Sequence, residues 1–403
     1  MQPLRDALAK LGDPQNQLPL VIHVAGTNGK GSTIAFLRAV IEAAGLTAHV
    51  FSKPHLIHLN ERLRIAGELV SDDALITAAD RVKHAGENLS QFEAQVASAF
   101  LLFSQTRADY VLLETGFGGR DDATNVIAAP RLCVITPIDL DHQAVLGETR
   151  AEIATHKAGI IKPGALTIAA RQYDEALSVL EAAADRARTP LLLCGREWDA
   201  FARQGRLIVQ TDDRLLDLPT PSLEGAHQIE NAGLAVMAAL TLNDTRITED
   251  AIAAGVSRAD WPARLQPVTS GALANRVIAA GGELWLDGGH NPHAARALAA
   301  ALHGLNRRAP RETIAIIALR ARKDAEGFIA ALAPALSRLI VIPLSGDTSA
   351  NPTALVEGAQ KLNMHVQHAA SLDDALNAAL QTKAPRILVT GSLLLAGEIL
   401  AAT

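Results

Sequence analysis

One run near the start of the chain, Gly26-Thr27-Asn28-Gly29-Lys30-Gly31-Ser32-Thr33, combines the residue types that handle a phosphate. Its glycines let the backbone approach closely, Lys30 can neutralise charge, and the hydroxyl of Ser32 or Thr33 can hold Mg²⁺. The apolar run Val21-Ile22-His23-Val24-Ala25 precedes it, and Ile34-Ala35-Phe36-Leu37-Arg38-Ala39-Val40-Ile41 follows with helical spacing. Strand, turn and helix in that order direct unpaired N–H groups and a positive helix end at one spot. The spacing is shorter than the common G-x-x-x-x-G-K-[ST], so the run is a variant phosphate loop. A strand–helix turn that binds nothing is the competing reading. It is disfavoured because Lys and Ser both fall where the chemistry needs them.

Other polar groups fall at strand ends. The buried-type strand Asp109-Tyr110-Val111-Leu112-Leu113-Glu114 ends in a carboxylate and runs into the pliable Thr115-Gly116-Phe117-Gly118-Gly119-Arg120-Asp121-Asp122-Ala123-Thr124-Asn125. Leu132–Pro137 is a second such strand, and Asp139, Asp141 and His142 follow it. Open α/β sheets bind ligands beyond the carboxyl ends of their strands, and a carboxylate at Glu114 can coordinate Mg²⁺. Pro54 opens a loop that carries His55, His58, Glu61 and Arg62, read as a substrate loop or a plain surface loop. Ser90-Gln91-Phe92-Glu93 has capping-box spacing, which structure alone can explain. Lys157 reads as a solvated charge at a helix end, favoured by the dipole. Gln228 and Asn231 share one face of a helix and fit either a polar surface or a ligand contact.

The elements that must position these groups alternate. Helices are predicted at 3–11, 32–44, 174–187, 227–242 and 248–258, with strands at 20–25, 47–52, 132–137, 165–170 and 190–194. Ser71 caps a further helix. Shorter strand-like segments lie within 197–218. After Asp260-Trp261-Pro262-Ala263-Arg264 the pattern restarts. Strands are predicted near 276–279, 283–287, 312–318, 338–342 and 386–390, and helices at 292–303, 324–334, 352–362 and 371–382. The predicted fold class is α/β: a P-loop-containing, mostly parallel sheet domain at 1–265 and a smaller Rossmann-like C-terminal domain at 271–403, joined by a hinge at 261–270.

The bulk composition narrows the function classes. Apolar residues are 49% and charged residues 20%, ordinary values for a globular chain, so a core large enough for two domains is available. Net charge is −6, which gives nucleic acid no basic surface. Cys133 and Cys194 sit in apolar runs and read as buried thiols. The start of the chain lacks a signal-peptide core, and no apolar run is long enough to span a membrane. A cytoplasmic monomer acting on small molecules is expected.

Taken together, the motifs resemble the folylpolyglutamate synthase/dihydrofolate synthase family, within the Mur ligase superfamily of ATP-dependent amide-bond ligases. The matches run in order along nearly the whole chain. They are Gly26–Ser32; Pro54-His55-Leu56 with Asn60-Glu61-Arg62; Phe92-Glu93; Glu114–Arg120 with Asp122–Asn125; Leu140-Asp141-His142; Lys157-Ala158-Gly159-Ile160; His227-Gln228 with Asn231-Ala232; Pro262 with Arg264; Asp287-Gly288 with His290-Asn291-Pro292-His293; Lys323-Asp324; and Gly391-Ser392-Leu393. Each motif is weak alone, and their joint order is specific.

The resemblance implies ATP and Mg²⁺, with L-glutamate and either dihydropteroate or a reduced folate as substrates. It implies that Gly26–Thr33 holds the ATP phosphates, that Ser32, Glu114 and His142 are Mg²⁺ ligands, and that Lys157 is carbamylated. It implies that Asn231 contacts adenine, that Arg264 reaches the phosphates, and that Asp287 and His290 complete the nucleotide site. Pro54, His55, Arg62, Phe92, Asp122 and Ala123 take the acceptor side, with Asp122 and Ala123 in the loop linked to pteroate. The chain departs from the family where Lys53 replaces a usual serine before Pro54, Gln143 follows His142 in place of threonine, and Val145 replaces a common aromatic.

Two other readings remain. One is a superfamily relative acting on a cell-wall precursor, disfavoured because only 25 residues precede Gly26. The other is an ATP-binding protein with no ligase turnover.

Overall fold

The computed structural model describes residues 1–344 and 349–403. The chain divides into two compact units, one of Met1–Ser222 with Gln228–Asp260 and one of Leu223–His227 with Trp261–Thr403.

The first unit is built on eight strands: β1 (Leu20–Ala25), β2 (Ala48–Phe51), β3 (Leu63–Ile65), β4 (Glu68–Leu69), β5 (Tyr110–Glu114), β6 (Leu132–Ile135), β7 (Leu166–Ala169) and β8 (Leu191–Leu193). They lie in the order β4-β3-β2-β5-β1-β6-β7-β8. From β2 to β8 all pairings are parallel, and only β3 and β4 run antiparallel at the edge. Strands β2, β5 and β6 are buried along their whole length, as parallel strands covered on both faces must be. Register decides where the site can form. Val24 faces Glu114 on β5 and Val134 on β6, so the three central strands end at the same level. The loops after them therefore meet at one place.

Helices α1 (Gln2–Lys10), α2 (Lys30–Ala43), α3 (Asp72–Ala85), α4 (Gln91–Gln105), α5 (Gln143–Leu146), α6 (Arg150–Lys157), α7 (Asp174–Ala187), α8 (His227–Leu242) and α9 (Glu249–Arg258) flank the sheet in sequence. Their starts are locally encoded. Ser71 and Thr248 accept from the backbone of Ala74 and Ala251 at the helix N-termini, and Ser90–Glu93 and Thr149–Glu152 form full capping boxes. Helix α9 packs so closely on α2 that a Cβ at Gly255 would lie 2.5 Å from the Val40 backbone. Strands β9 (Trp198–Arg203), β10 (Arg206–Thr211) and β11 (Leu215–Leu218) make a separate antiparallel sheet.

The second unit has six strands: β12 (Gln266–Pro267), β13 (Glu283–Leu286), β14 (Thr313–Ile317), β15 (Arg338–Val341), β16 (Val366–His368) and β17 (Arg386–Thr390). Their order is β12-β13-β17-β14-β15-β16, parallel except for β12. Helices α10 (Gly271–Ala279), α11 (Pro292–Arg308), α12 (Ala325–Leu332), α13 (Pro352–Lys361), α14 (Leu372–Ala379) and α15 (Leu393–Ala401) belong to it. The segment 276–279, predicted as a strand, is the end of helix α10. Its Val277 and Ile278 suggest a strand, but burial of Ala274 and Val277 on one face holds a helix that begins at Gly271. Arg386 is buried at the start of β17 and is held by Glu283, Asn306 and the Ala309 carbonyl. Among the described residues no helix is long and apolar enough to cross a membrane.

Candidate active site

The phosphate-type loop joins β1 to α2 and is pinned from several sides. Gly26 has φ +146°, and a Cβ there would fall 1.8 Å from Thr136 Oγ1, so no other residue fits. Thr27 donates from its N–H to the Pro137 carbonyl at 3.0 Å and from its hydroxyl to the Asp139 carbonyl at 2.9 Å. Gly29 is the N-cap of α2 at φ +90°, and a Cβ there would meet Asn231 Oδ1 at 2.3 Å. Lys30 turns back over the loop. Its Nζ donates to the carbonyls of Gly26 at 3.0 Å and Thr27 at 3.1 Å, and lies 3.9 Å from Glu114 Oε1. Ser32 and Thr33 are buried in the first turn of α2, and Thr33 Oγ1 has no hydrogen-bond partner among the described residues. The result is a backbone cradle at a helix N-terminus with an ammonium folded over it, a geometry suited to a polyphosphate.

The neighbouring strand ends supply oxygen donors. Glu114 is buried, and its Oε2 accepts the Lys53 N–H at 3.2 Å. Asp139 is held by Arg150 Nε at 2.8 Å. His142 caps α5 in the left-handed region, and its ring meets Phe117 edge-on at 4.9 Å. Among the described residues no three His, Cys, Asp or Glu side chains gather as a metal cage. Magnesium does not need one: it takes one or two carboxylates and completes its shell with phosphate oxygens and water. Glu114 with the Ser32 hydroxyl is a hard-oxygen pair of that kind, so the residues present fit the ion.

Lys157 overturns the expectation of a solvated charge. It is 5% exposed, and its Nζ donates to the Gly26 carbonyl at 2.8 Å. The 116–125 loop lies over the end of α6: Arg120 N–H donates to the His156 carbonyl at 2.6 Å, and Asn125 Nδ2 to the Gly159 carbonyl at 3.1 Å. Gly119 and Gly159 allow this approach, since a Cβ at either would strike opposing backbone. Burial first, and then the charge of Lys30, push the Lys157 ammonium down to about 7.

The loop after β2 is cross-linked by its own side chains. Glu61 accepts N–H groups from Leu56, Ile57 and His58. Arg62 donates to His55 Nδ1 at 2.9 Å and to Gln95 Oε1 at 2.6 Å. Phe92 fills the space a Cβ at Gly116 would need, so the aromatic and the loop after β5 are packed together. Asp122 uses both oxygens on its own loop, accepting from Phe117 N–H, Thr124 N–H and the Thr124 hydroxyl. Ala123 is buried in the apolar core, whereas Pro54 is exposed. Asn231 and Gln228, open between surface and ligand roles on sequence, are both buried and hydrogen-bonded to each other at 2.9 Å. Gln228 Nε2 has no partner among the described residues.

Lys53 was visible in the sequence only as a departure. The fold places its Nζ over the Phe92 ring, 5.7 Å from the centroid. Burial and the charge of Lys30 push its ammonium down to about 8. No local sequence signal marks this position, because Phe92 comes from a different element.

In the second unit Asp287 fastens the 263–265 segment. Its Oδ2 accepts the Leu265 N–H at 2.8 Å and its Oδ1 the Gly289 N–H at 2.7 Å. Burial raises its carboxyl, opposed by Arg264. Arg264 Nη1 donates to the Ala263 carbonyl at 2.9 Å, and His290 Nδ1 lies 3.1 Å from the Gly288 carbonyl. Arg264, Asp287 and His290 are thus neighbours around one turn.

Comparison with known proteins places the chain in a family. Residues 24–239 match the Mur ligase middle domain and residues 275–393 the Mur ligase glutamate ligase domain, which defines the class. The folylpolyglutamate synthase of Lacticaseibacillus casei is 33% identical across 97% of this chain and 91% of its own. Escherichia coli FolC in complex with DHPP and ADP superposes with TM-score 0.88 at 29% identity, covering 100% of this chain and 92% of that one. The bifunctional folylpolyglutamate synthase/dihydrofolate synthase of Yersinia pestis, complexed with AMPPNP and Mn, gives TM-score 0.88 at 29% identity over 100% and 93%. The chain belongs to the folylpolyglutamate synthase/dihydrofolate synthase family of Mur ligases.

Proposed function

We propose that this chain is an ATP-dependent ligase that joins L-glutamate to dihydropteroate and to the glutamate tail of reduced folates. The observation that carries this reading is the cradle of Gly26–Ser32, with Lys30 folded over it and Glu114 beside it. The relatives support it, being named for these reactions or held in complex with ADP or AMPPNP, and so does the glutamate ligase domain match.

A carboxylate is a poor electrophile, and bound ATP with Mg²⁺ supplies the phosphoryl group that converts it to an acyl phosphate. The chain's part is positioning and charge neutralisation. The N–H groups at the start of α2 hold the polyphosphate, and Lys30 exchanges loop carbonyls for phosphate oxygens. Glu114 and Ser32 would hold the metal, and His142 keeps the ligand role the resemblance implies. Arg264, Asp287 and His290 keep nucleotide roles, and Asn231 an adenine role, on the resemblance.

Lys157 fits the carbamylation that the resemblance implies. Its amine is buried, reaches neutrality near pH 7, and shares its surroundings with Lys30 and Lys53. The ammonium gives up one proton, and attack of the resulting neutral amine on CO₂ forms the N–C bond and releases a second, so a crowded cation becomes an anion. The two free thiols, Cys133 and Cys194, are buried, which supports a cytoplasmic setting, and a monomer of 42.4 kDa is the expected form.

The test is ADP release by the purified chain with ATP, L-glutamate and either dihydropteroate or tetrahydrofolate. The expected result is release that needs both glutamate and an acceptor, with both acceptors active. Activity with one acceptor alone would remove the bifunctional part, and ATP binding without glutamate-dependent release would remove the ligase.

A further inference from the structure

The first unit gathers four cations around Glu114 and Asp122, namely Lys30, Lys53, Arg62 and Lys157. Three of them are occupied. Lys30 donates to Gly26 and Thr27, Lys157 to Gly26, and Arg62 to His55 and Gln95. Lys53 differs: among the described residues its ammonium makes no hydrogen bond or ion pair, and its only contact of this kind is the face of Phe92. The charges of Glu114 and Asp122 attract it through space, but the hydrogen bonds that these two carboxylates accept come from backbone and hydroxyl donors. Asp122 is used by its own loop, and Glu114 accepts the Lys53 backbone N–H instead. A half-buried ammonium resting on an aromatic ring has lost water, and two carboxylates acting at a distance offset that loss only in part.

Its position says which anion is missing. Lys53 follows β2 directly, beside the end of β5, where Glu114 approaches Lys30. Phe92, under the ammonium, also packs on the loop after β5. We propose that Lys53 anchors the carboxylate of the acceptor, the group that receives the phosphoryl, and thereby sets acceptor affinity in this chain. The inference rests on the ligase reading and concerns a residue that departs from the family pattern. In a partly desolvated setting, an ammonium–carboxylate hydrogen bond is stronger than at the surface and orients the oxygen that attacks. An oxygen of the transferred phosphate is the other anion such an ammonium can meet, and the experiment separates the two.

Three proteins are compared: wild type, Lys53→Met, which keeps length and loses charge, and Lys53→Arg, which keeps charge. Initial rates are measured with dihydropteroate and ATP varied separately, and calorimetry reads dihydropteroate binding without ATP. For Lys53→Met, the acceptor KM and its dissociation constant are expected to rise by about tenfold or more, while the KM for ATP moves by less than about twofold. Lys53→Arg should recover most of the loss. The thermal midpoint of ligand-free Lys53→Met should equal or exceed that of wild type, since an incompletely compensated ammonium is removed; a structural lysine would lower it. A larger change in the KM for ATP would assign the ammonium to phosphate, and unchanged acceptor binding would leave it no such role. Either overturns the proposal. Wild type that binds dihydropteroate but shows no glutamate-dependent turnover would sink the ligase reading instead, and the calorimetric arm would still decide Lys53.

Discussion

Lys30→Met is expected to lower kcat by about a hundred- to a thousandfold, the scale of losing one preorganised charge at a phosphoryl-transfer centre. The substitution removes two hydrogen bonds to loop carbonyls and a contact with Glu114, all at the edge of the loop rather than in the core. The fold should therefore survive, with a thermal midpoint close to that of wild type. Nucleotide binding, followed by calorimetry, should weaken as well. A variant that keeps most of its turnover would mean that Lys30 does not act on the transferred group.

Lys157→Met should lose turnover by about a hundredfold or more, and its stability should move the other way. A lysine pushed from its ordinary value of 10.5 down to about 7 destabilises the folded chain wherever the unfolded chain is protonated. That penalty is absent above the ordinary value, grows as pH falls, and is complete below about 7. In bicarbonate-free buffer the ligand-free variant should therefore melt above wild type at pH 7 and below, with the gain shrinking toward pH 10. Bicarbonate should raise the melting point of wild type and leave that of Lys157→Met unchanged, because only the lysine can become a carbamate. A carbonyl signal from ¹³C-bicarbonate bound to wild type, absent in the variant, is the direct spectroscopic check. Lower melting of the variant at every pH would show the lysine to be a stabilising contact.

How much of this was legible in the sequence depends on distance along the chain. The helices at 174–187 and 227–242 and the strand at 386–390 are encoded by adjacent residues and lie where patterning places them, whereas α2 begins two residues before the predicted 32. The convergence of Glu114 and Lys30 followed from a general property of open parallel sheets, whose ligands gather at strand ends. What patterning missed is set by segments far apart. Lys157 looks like a solvated helix end until the 116–125 loop is laid across it, an approach that Gly119 and Gly159 permit. Val277 and Ile278 look like strand residues until a buried helical face claims them. Lys53 reads as an isolated change until Phe92 is brought beneath it from helix α4.

The most direct measurement is an isotope transfer. Dihydropteroate carrying ¹⁸O in its carboxylate is turned over with ATP and L-glutamate, and the released phosphate is analysed by mass spectrometry. Activation of the carboxylate over the Gly26–Ser32 cradle requires one of its oxygens to leave with the phosphate, so the expected result is one ¹⁸O per phosphate formed. Unlabelled phosphate accompanied by amide product would show that the acceptor carboxylate is never phosphorylated, and would contradict the account at its centre.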